Sequence, residues 1–175
     1  MSHYDELKMS HPMTRLHVFT ALPISILFIT CNTESVAPIM VSYNGLVDQR
    51  LIPYFRTFEA EAAARGVLVD FDEFPVSASI ESIRDDDIAG TCNYHYYEPN
   101  VVTIDLEFWN AVPTLRREMI VFHELGHCYL GRGHLETAFN NGICTTIMNS
   151  GTSGCYVAYT VQNRDYYLDE LFEIE

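Results

Sequence analysis

From Ile120 to His134 the chain reads Ile-Val-Phe-His-Glu-Leu-Gly-His-Cys-Tyr-Leu-Gly-Arg-Gly-His. On a helix, residues four apart lie one turn above each other on the same face. His123 and His127 can therefore offer two imidazole nitrogens to one metal ion. Glu124 is rotated by about 100° from His123, which takes it off the ligand face but leaves it within reach of a water beside the ion. Zinc held by three protein ligands keeps a fourth position for water and lowers that water's pKa to about 7. A neighbouring carboxylate can take the proton as the water attacks a carbonyl. These residue types at this spacing are what metal-assisted hydrolysis needs.

The flanking residues fit a helix. Leu115, Met119, Phe122, Gly126 and Tyr129 follow helical spacing on an apolar face. Thr114 is the expected N-cap, and Gly131 the expected stop at C′. The competing reading is an ordinary amphipathic helix whose histidines are surface or core residues.

A chain of 175 residues is expected to form one domain. Hydrophobic residues make up 48% and aromatic residues 13%, enough for a substantial core. The formal net charge of −14 argues against nucleic acid and anionic membrane surfaces as partners. Asp85-Asp86-Asp87 is the one acidic run; without the spaced signature of a calcium loop it reads as a solvated connection.

Residues 1–31 read as a targeting segment. Met13-Thr-Arg15 leads into an apolar stretch ending at Thr30, followed by Cys31. That length suits a signal peptide and is too short to span a bilayer. The cysteine at its end looks like a bacterial lipoprotein signal, with Cys31 the lipidated residue, although Thr30 stands where such signals usually carry Gly, Ala or Ser. Residues 1–12 are polar, so translation starting at Met9 or Met13 fits better than Met1. The expected location is exported, either lipid-anchored or secreted. The mature chain then retains Cys92, Cys128, Cys144 and Cys155. An even number in an exported protein suggests one or two disulfides, with three full connectivities open. No C-x-x-C pair supports a cysteine-rich zinc site.

Residues 32–45 read as a linker, with a short strand at Ile39–Tyr43. Residues 46–175 form the expected domain. Pro53–Gly66 is a predicted helix with Phe55, Phe58 and Ala62 as its buried stripe, extended upstream from Leu46 through a kink. Strands are predicted at Val67–Phe71, Ser79–Ile83, Ala89–Tyr97 and Val101–Phe108. The last two join through Glu98-Pro99-Asn100, a hairpin by composition. Val102, Ile104, Leu106 and Phe108 alternate onto one face, with Asp105 on the other. His95 in the hairpin is a weaker ligand candidate and reads as structural. Residues 134–154 are turn-rich. Asn163 is the expected cap of a last helix, Arg164–Glu173, burying Tyr167, Leu168, Leu171 and Phe172. The fold class is α+β: a mixed twisted sheet with an N-terminal helix, an active-site helix and a C-terminal helix.

The pattern resembles the metzincin clan of zinc metallopeptidases, whose motif is H-E-x-x-H-x-x-G-x-x-H followed by a Met-turn. His123, Glu124 and His127 match directly, Gly131 and His134 reproduce the ending, and Ile147-Met148-Asn149 looks like the Met-turn. The stretch is also similar to metallopeptidases among bacterial lipoproteins. The resemblance implies a small metzincin-like zincin domain with zinc on His123, His127 and His134, Glu124 as general base and then general acid, and Met148 beneath the metal. One extra residue separates His127 from Gly131, so the turn after Leu130 must absorb a rotation of about 100°. The tyrosine that some metzincins place two residues after the Met-turn methionine is replaced by Ser150; Tyr156 and Tyr159 are the substitutes considered.

The expectation is a zinc-dependent endopeptidase acting on peptide or protein substrates as a monomer, with an extended substrate pairing along the edge of Val101–Phe108. A first alternative keeps the reaction but takes a carboxylate as third ligand, from Glu136, Asp165, Asp169 or Glu170. A second is a non-catalytic exported binding module stapled by zinc; a base beside the ligands speaks against it, because a structural site fills its fourth position with protein.

Overall fold

The helix that carries the two histidines runs from Thr114 to Cys128 (α3) and packs on a three-stranded sheet. The computed structural model describes residues 46–84, 87–151 and 158–173. All of them belong to the second of two units, Met1–Ile39 and Met40–Glu175. The expected targeting segment with Cys31, the linker and strand before Leu46, Asp85 and Asp86, Cys155 and Tyr156 lie outside the described residues. Within them the order is α1 (Ile52–Ala64), β1 (Val76–Glu81), β2 (Gly90–Asn93), β3 (Asn100–Asp105), α2 (Leu106–Ala111), α3 and α4 (Arg164–Leu171). The fold is α+β.

Pro53 sits in the first turn of α1, where its missing N–H is not needed. The helix buries Tyr54, Phe55, Phe58 and Ala62, and Gly66 ends it at a φ of 77° that disfavours other residues. The residues before it are not helical. Val47 pairs in parallel with Ala78, and the backbone of 46–48 bonds to Ala78 on both sides, so this segment flanks the sheet instead of extending α1.

Strand order is β1-β3-β2, with β1 parallel and β2 antiparallel to β3. The register sets Gly90 opposite Ile104 and Asn93 opposite Val101. β3 is therefore central, which corrects its expected role as a free edge; β2 is the edge beside α3. β3 also ends earlier than predicted. The Asp105 carboxylate accepts from the N–H groups of Phe108 (2.7 Å) and Ile83 (2.9 Å), which caps a new helix at Leu106. Leu106 and Phe108 thus belong to α2, and Asp105 is buried instead of facing water. Burial pushes the Asp105 carboxyl up, but the backbone donors outweigh it and hold it below the usual range.

Val67–Asp70 is irregular, not a strand. Among the described residues no strand pairs with it, and the N–H of Asp70 bonds to the Tyr129 hydroxyl instead (2.7 Å). The strand expected at 79–83 begins directly after Pro75 and runs over Val76–Glu81.

The core lies between α1, the sheet, α3 and α4. Phe58 of α1 meets Phe122 of α3 edge-on at 5.1 Å and Phe172 at 4.9 Å. Phe55, Phe58, Val102, Ile104, Phe122, Leu125 and Leu168 are fully buried. Each such side chain contributes about 1.5–3 kcal/mol through burial. α3 is thereby clamped on one side, and its opposite, histidine-bearing side faces a cavity.

Candidate metal centre

Thr114 is the first helical residue of α3 and not its cap; Pro113 stands at the N-cap with extended backbone. At the other end the extra residue is absorbed by widening the last turn. The carbonyl of Leu125 accepts from both Tyr129 (2.8 Å) and Leu130 (3.2 Å), so one bond spans five residues instead of four. Arg132 N–H then reaches back to the Gly126 carbonyl (2.9 Å), and Gly131 turns the chain at φ 69°, a conformation suited to glycine. Gly131 lies two residues past the C-cap Tyr129, one later than C′.

This turn returns His134 to the helix. Ligand atoms of His123, His127 and His134 all lie within 4.8 Å of one another. The ring centroids of His123 and His127 are 4.7 Å apart, those of His127 and His134 4.7 Å, and those of His123 and His134 5.4 Å. His123 Nδ1 bonds to the Ile147 carbonyl and His127 Nδ1 to the Arg132 carbonyl, each at 2.6 Å. A carbonyl can only accept, so both Nδ1 atoms carry the proton and both Nε2 atoms are bare lone pairs. Those two Nε2 atoms stand 3.1 Å apart. Two acceptors at that distance repel unless a cation lies between them, and two nitrogens on a tetrahedral zinc sit roughly 3.3 Å apart. The donor set fits a metal of zinc's kind, with both tautomers set by an outer shell of backbone carbonyls. Burial, with the neighbouring His127 and His134 rings, lowers the His123 pKa to about 4 against the pull of Ile147, which keeps the imidazole neutral and ready to ligate.

The carboxylates considered as third ligands are engaged elsewhere. Glu136 accepts from the Asn149 amide (2.8 Å) and the Ser150 N–H (3.1 Å). Glu170 pairs with Arg132 at 2.6 Å, and Asp169 with Arg65 at 2.8 Å. Asp165 is exposed and lies 3.9 Å from Arg65. His95 is on the surface at the hairpin and outside the triad.

Glu124 lines the same cavity, of about 460 Å³, as the three histidines. It is 3% exposed, and burial pushes its pKa up to about 8. Edge strand β2 makes the room for it: a Cβ on Gly90 would stand 2.8 Å from Glu124 Oε1 and 2.9 Å from its Cγ. Gly126 plays the same part beneath. A Cβ there would fall 2.5 Å from Met148 Sδ, so the fully buried Met148 lies directly under the histidine-bearing turn. The Met148 carbonyl accepts from Leu135 N–H (2.9 Å), which ties the Met148 turn to the residue after His134.

Tyr159 is not at the site: its hydroxyl donates to Glu118 (2.7 Å) and the side chain is buried. The tyrosine that lines the cavity is Tyr94, which sequence reasoning passed over as a hairpin aromatic. Gly90, the Ile147 and Arg132 carbonyls and the Cys92–Cys128 disulfide were equally invisible in sequence, since each depends on pairing between distant segments. The disulfide (Cα–Cα 5.6 Å) fastens β2 to the residue after His127. Cys144 is disulfide-bonded as well.

No family model, curated protein or solved structure matches this chain.

Proposed function

We propose that the protein is a zinc-dependent endopeptidase of metzincin type, with His123, His127 and His134 as ligands and Glu124 as the catalytic base. One observation carries the reading: two helical histidines with bare Nε2 atoms and a third histidine beyond the turn bring their ligand atoms within 4.8 Å of one another, with a buried glutamate beside them. A bound zinc would supply Lewis acidity, polarising the scissile carbonyl and acidifying the attacking water.

The chain's own groups do the rest. Glu124 accepts the proton of the water as its oxygen bonds to the carbonyl carbon, and the carbonyl π pair moves onto oxygen. The same carboxyl then gives that proton to the amide nitrogen as the C–N bond breaks. A substrate strand is expected to pair with the edge of β2, whose Gly90, Thr91 and Cys92 line the cavity.

A disulfide in the fold, together with the basic-apolar-Cys order of residues 13–31, supports an exported protein. No helix among the described residues is long and apolar enough to cross a membrane.

The test is Glu124→Gln. Zinc content and fold should be kept, while hydrolysis of unfolded protein falls by about 10² or more, the low end of what a positioned acid–base group supplies. Full turnover in a zinc-loaded, folded variant would refute the mechanism.

A further inference from the structure

Hydrolysis of an amide puts negative charge on the former carbonyl oxygen. A preorganised donor aimed at that oxygen speeds the reaction, and losing one costs about 10²–10³ in kcat. Asn149 and Ser150 line the cavity, but the Asn149 amide and the Ser150 N–H are both held by Glu136. Among the described residues, the side-chain hydroxyls that remain on the cavity wall are those of Tyr94, Thr91 and Ser150.

Tyr94 differs from the other two in three respects. Its hydroxyl donates to the His127 carbonyl at 3.1 Å, one residue's backbone away from a ligand imidazole. That carbonyl already accepts from Gly131 N–H at 3.1 Å, so withdrawing the phenol leaves no orphaned acceptor. The side chain is 62% exposed, so its rotation meets little packing. Meanwhile the segment carrying it is anchored at both ends. Cys92 is bonded to Cys128, and Asn100 Nδ2 donates to the Cys128 carbonyl at 2.8 Å. A mobile donor on a fixed base, at the rim of the metal cavity, is what stabilising a transient charge requires.

Resting on the endopeptidase reading above, we propose that Tyr94 is a catalytic residue that leaves the His127 carbonyl and donates its O–H hydrogen bond to the tetrahedral oxyanion of the substrate. No proton is transferred from the phenol; the proton of the water travels through Glu124, and the bond to Tyr94 forms as charge develops and loosens as the C–N bond breaks. This assigns the role to the segment after β2, not to Ser150 or Tyr159.

The experiment compares the full-length, zinc-loaded chain with Tyr94→Phe and Ser150→Ala, using unfolded casein as substrate and a peptide phosphinate as tetrahedral mimic. Tyr94→Phe should lower kcat about 10²-fold with KM unchanged, and weaken phosphinate binding, measured by calorimetry, by a similar factor. Zinc content and Tm should stay at wild-type values, and Ser150→Ala should keep kcat within about threefold. The proposal is overturned if Tyr94→Phe turns over within about threefold of wild type, or if the loss falls on Ser150→Ala. It also fails if zinc content or Tm drops together with kcat, since the hydroxyl would then be a helix cap. These results are distinct from failure of the underlying reading, in which the wild type takes up zinc yet neither cleaves casein nor binds the phosphinate.

Discussion

His127 is held at both ends of its residue: its ring by the Arg132 carbonyl and its own carbonyl by Gly131 and Tyr94. Arg132 is itself fixed, because its guanidinium bonds to the Glu170 and Leu171 carbonyls at the end of α4 and to the Glu170 carboxylate. His134 follows two residues later, so the third histidine of the triad inherits that anchorage. We expect His134→Ala to weaken zinc affinity by more than about 10²-fold, since even outer-shell partners are worth about 10–100-fold. Glu136→Ala should leave the three histidines in place, and Glu170→Ala, which removes one of the three bonds fixing Arg132, should cost less than His134→Ala; a titration against a competing chelator ranks the three variants. Gly90→Ala probes the base without touching a ligand. Its methyl would stand 2.8 Å from Glu124 Oε1, so the carboxylate must shift. Hydrolysis should fall by about tenfold or more, as expected for a misplaced group, with zinc content unchanged by mass spectrometry of the native protein.

At the scale of elements, local patterns were legible and pairings were not. α1, α3 and α4 could be read because their apolar stripes lie within one helix length, whereas the ends of α3 could not, since Pro113 and not Thr114 stands at its N-cap. The triad could be read because its members lie within a dozen residues, although the bond from Leu130 to Leu125 that absorbs the extra residue could not. Leu106 and Phe108 continued the alternation of β3, yet Asp105 outweighed it by capping α2; an aspartate followed by Leu-Glu-Phe was the signal available. Val67–Phe71 had strand composition but no neighbour to pair with. β2 depends most on distant contacts, because the Cys92–Cys128 bond ties it to α3 across a sequence separation of 36. Closing a loop of that length in the unfolded chain is worth about 4 kcal/mol. Cys92→Ala/Cys128→Ala should therefore lower Tm by on the order of 10 °C. Because the bond also sets the cavity wall, kcat should fall at temperatures where the double variant is still fully folded by circular dichroism.

The chain carries 24 acidic against 10 basic residues, and some of its arginines hold structural posts. Arg164 sits between Glu61 of α1 and Glu118 of α3, at 2.6 Å from each, and Arg65 pairs with Glu61 at 2.6 Å. The cluster joins three helices around the core and is largely screened from water, with side chains 15–22% exposed. Burial alone would raise the Glu61 pKa, but hydrogen bonds from Arg164 and Arg65 outweigh it and hold it below the ordinary glutamate value of 4.5. A carboxylate with a depressed pKa binds fewer protons folded than unfolded. Its contribution is thus fully present above pH 4.5 and is lost as pH falls from there through the folded-state pKa. Glu61→Gln removes that contribution and should cost about 1–3 kcal/mol at pH 7, as for other partly buried charge pairs broken on one side. The rest of the acidic surface is common to both proteins, and easing its self-repulsion on acidification affects them alike. Subtracting urea unfolding free energies of variant and wild type at each pH therefore isolates the cluster. The difference should stay constant from pH 8 to about pH 5 and shrink below it; a difference independent of pH down to about pH 3 would show that Glu61 is not held as an anion by its two arginines.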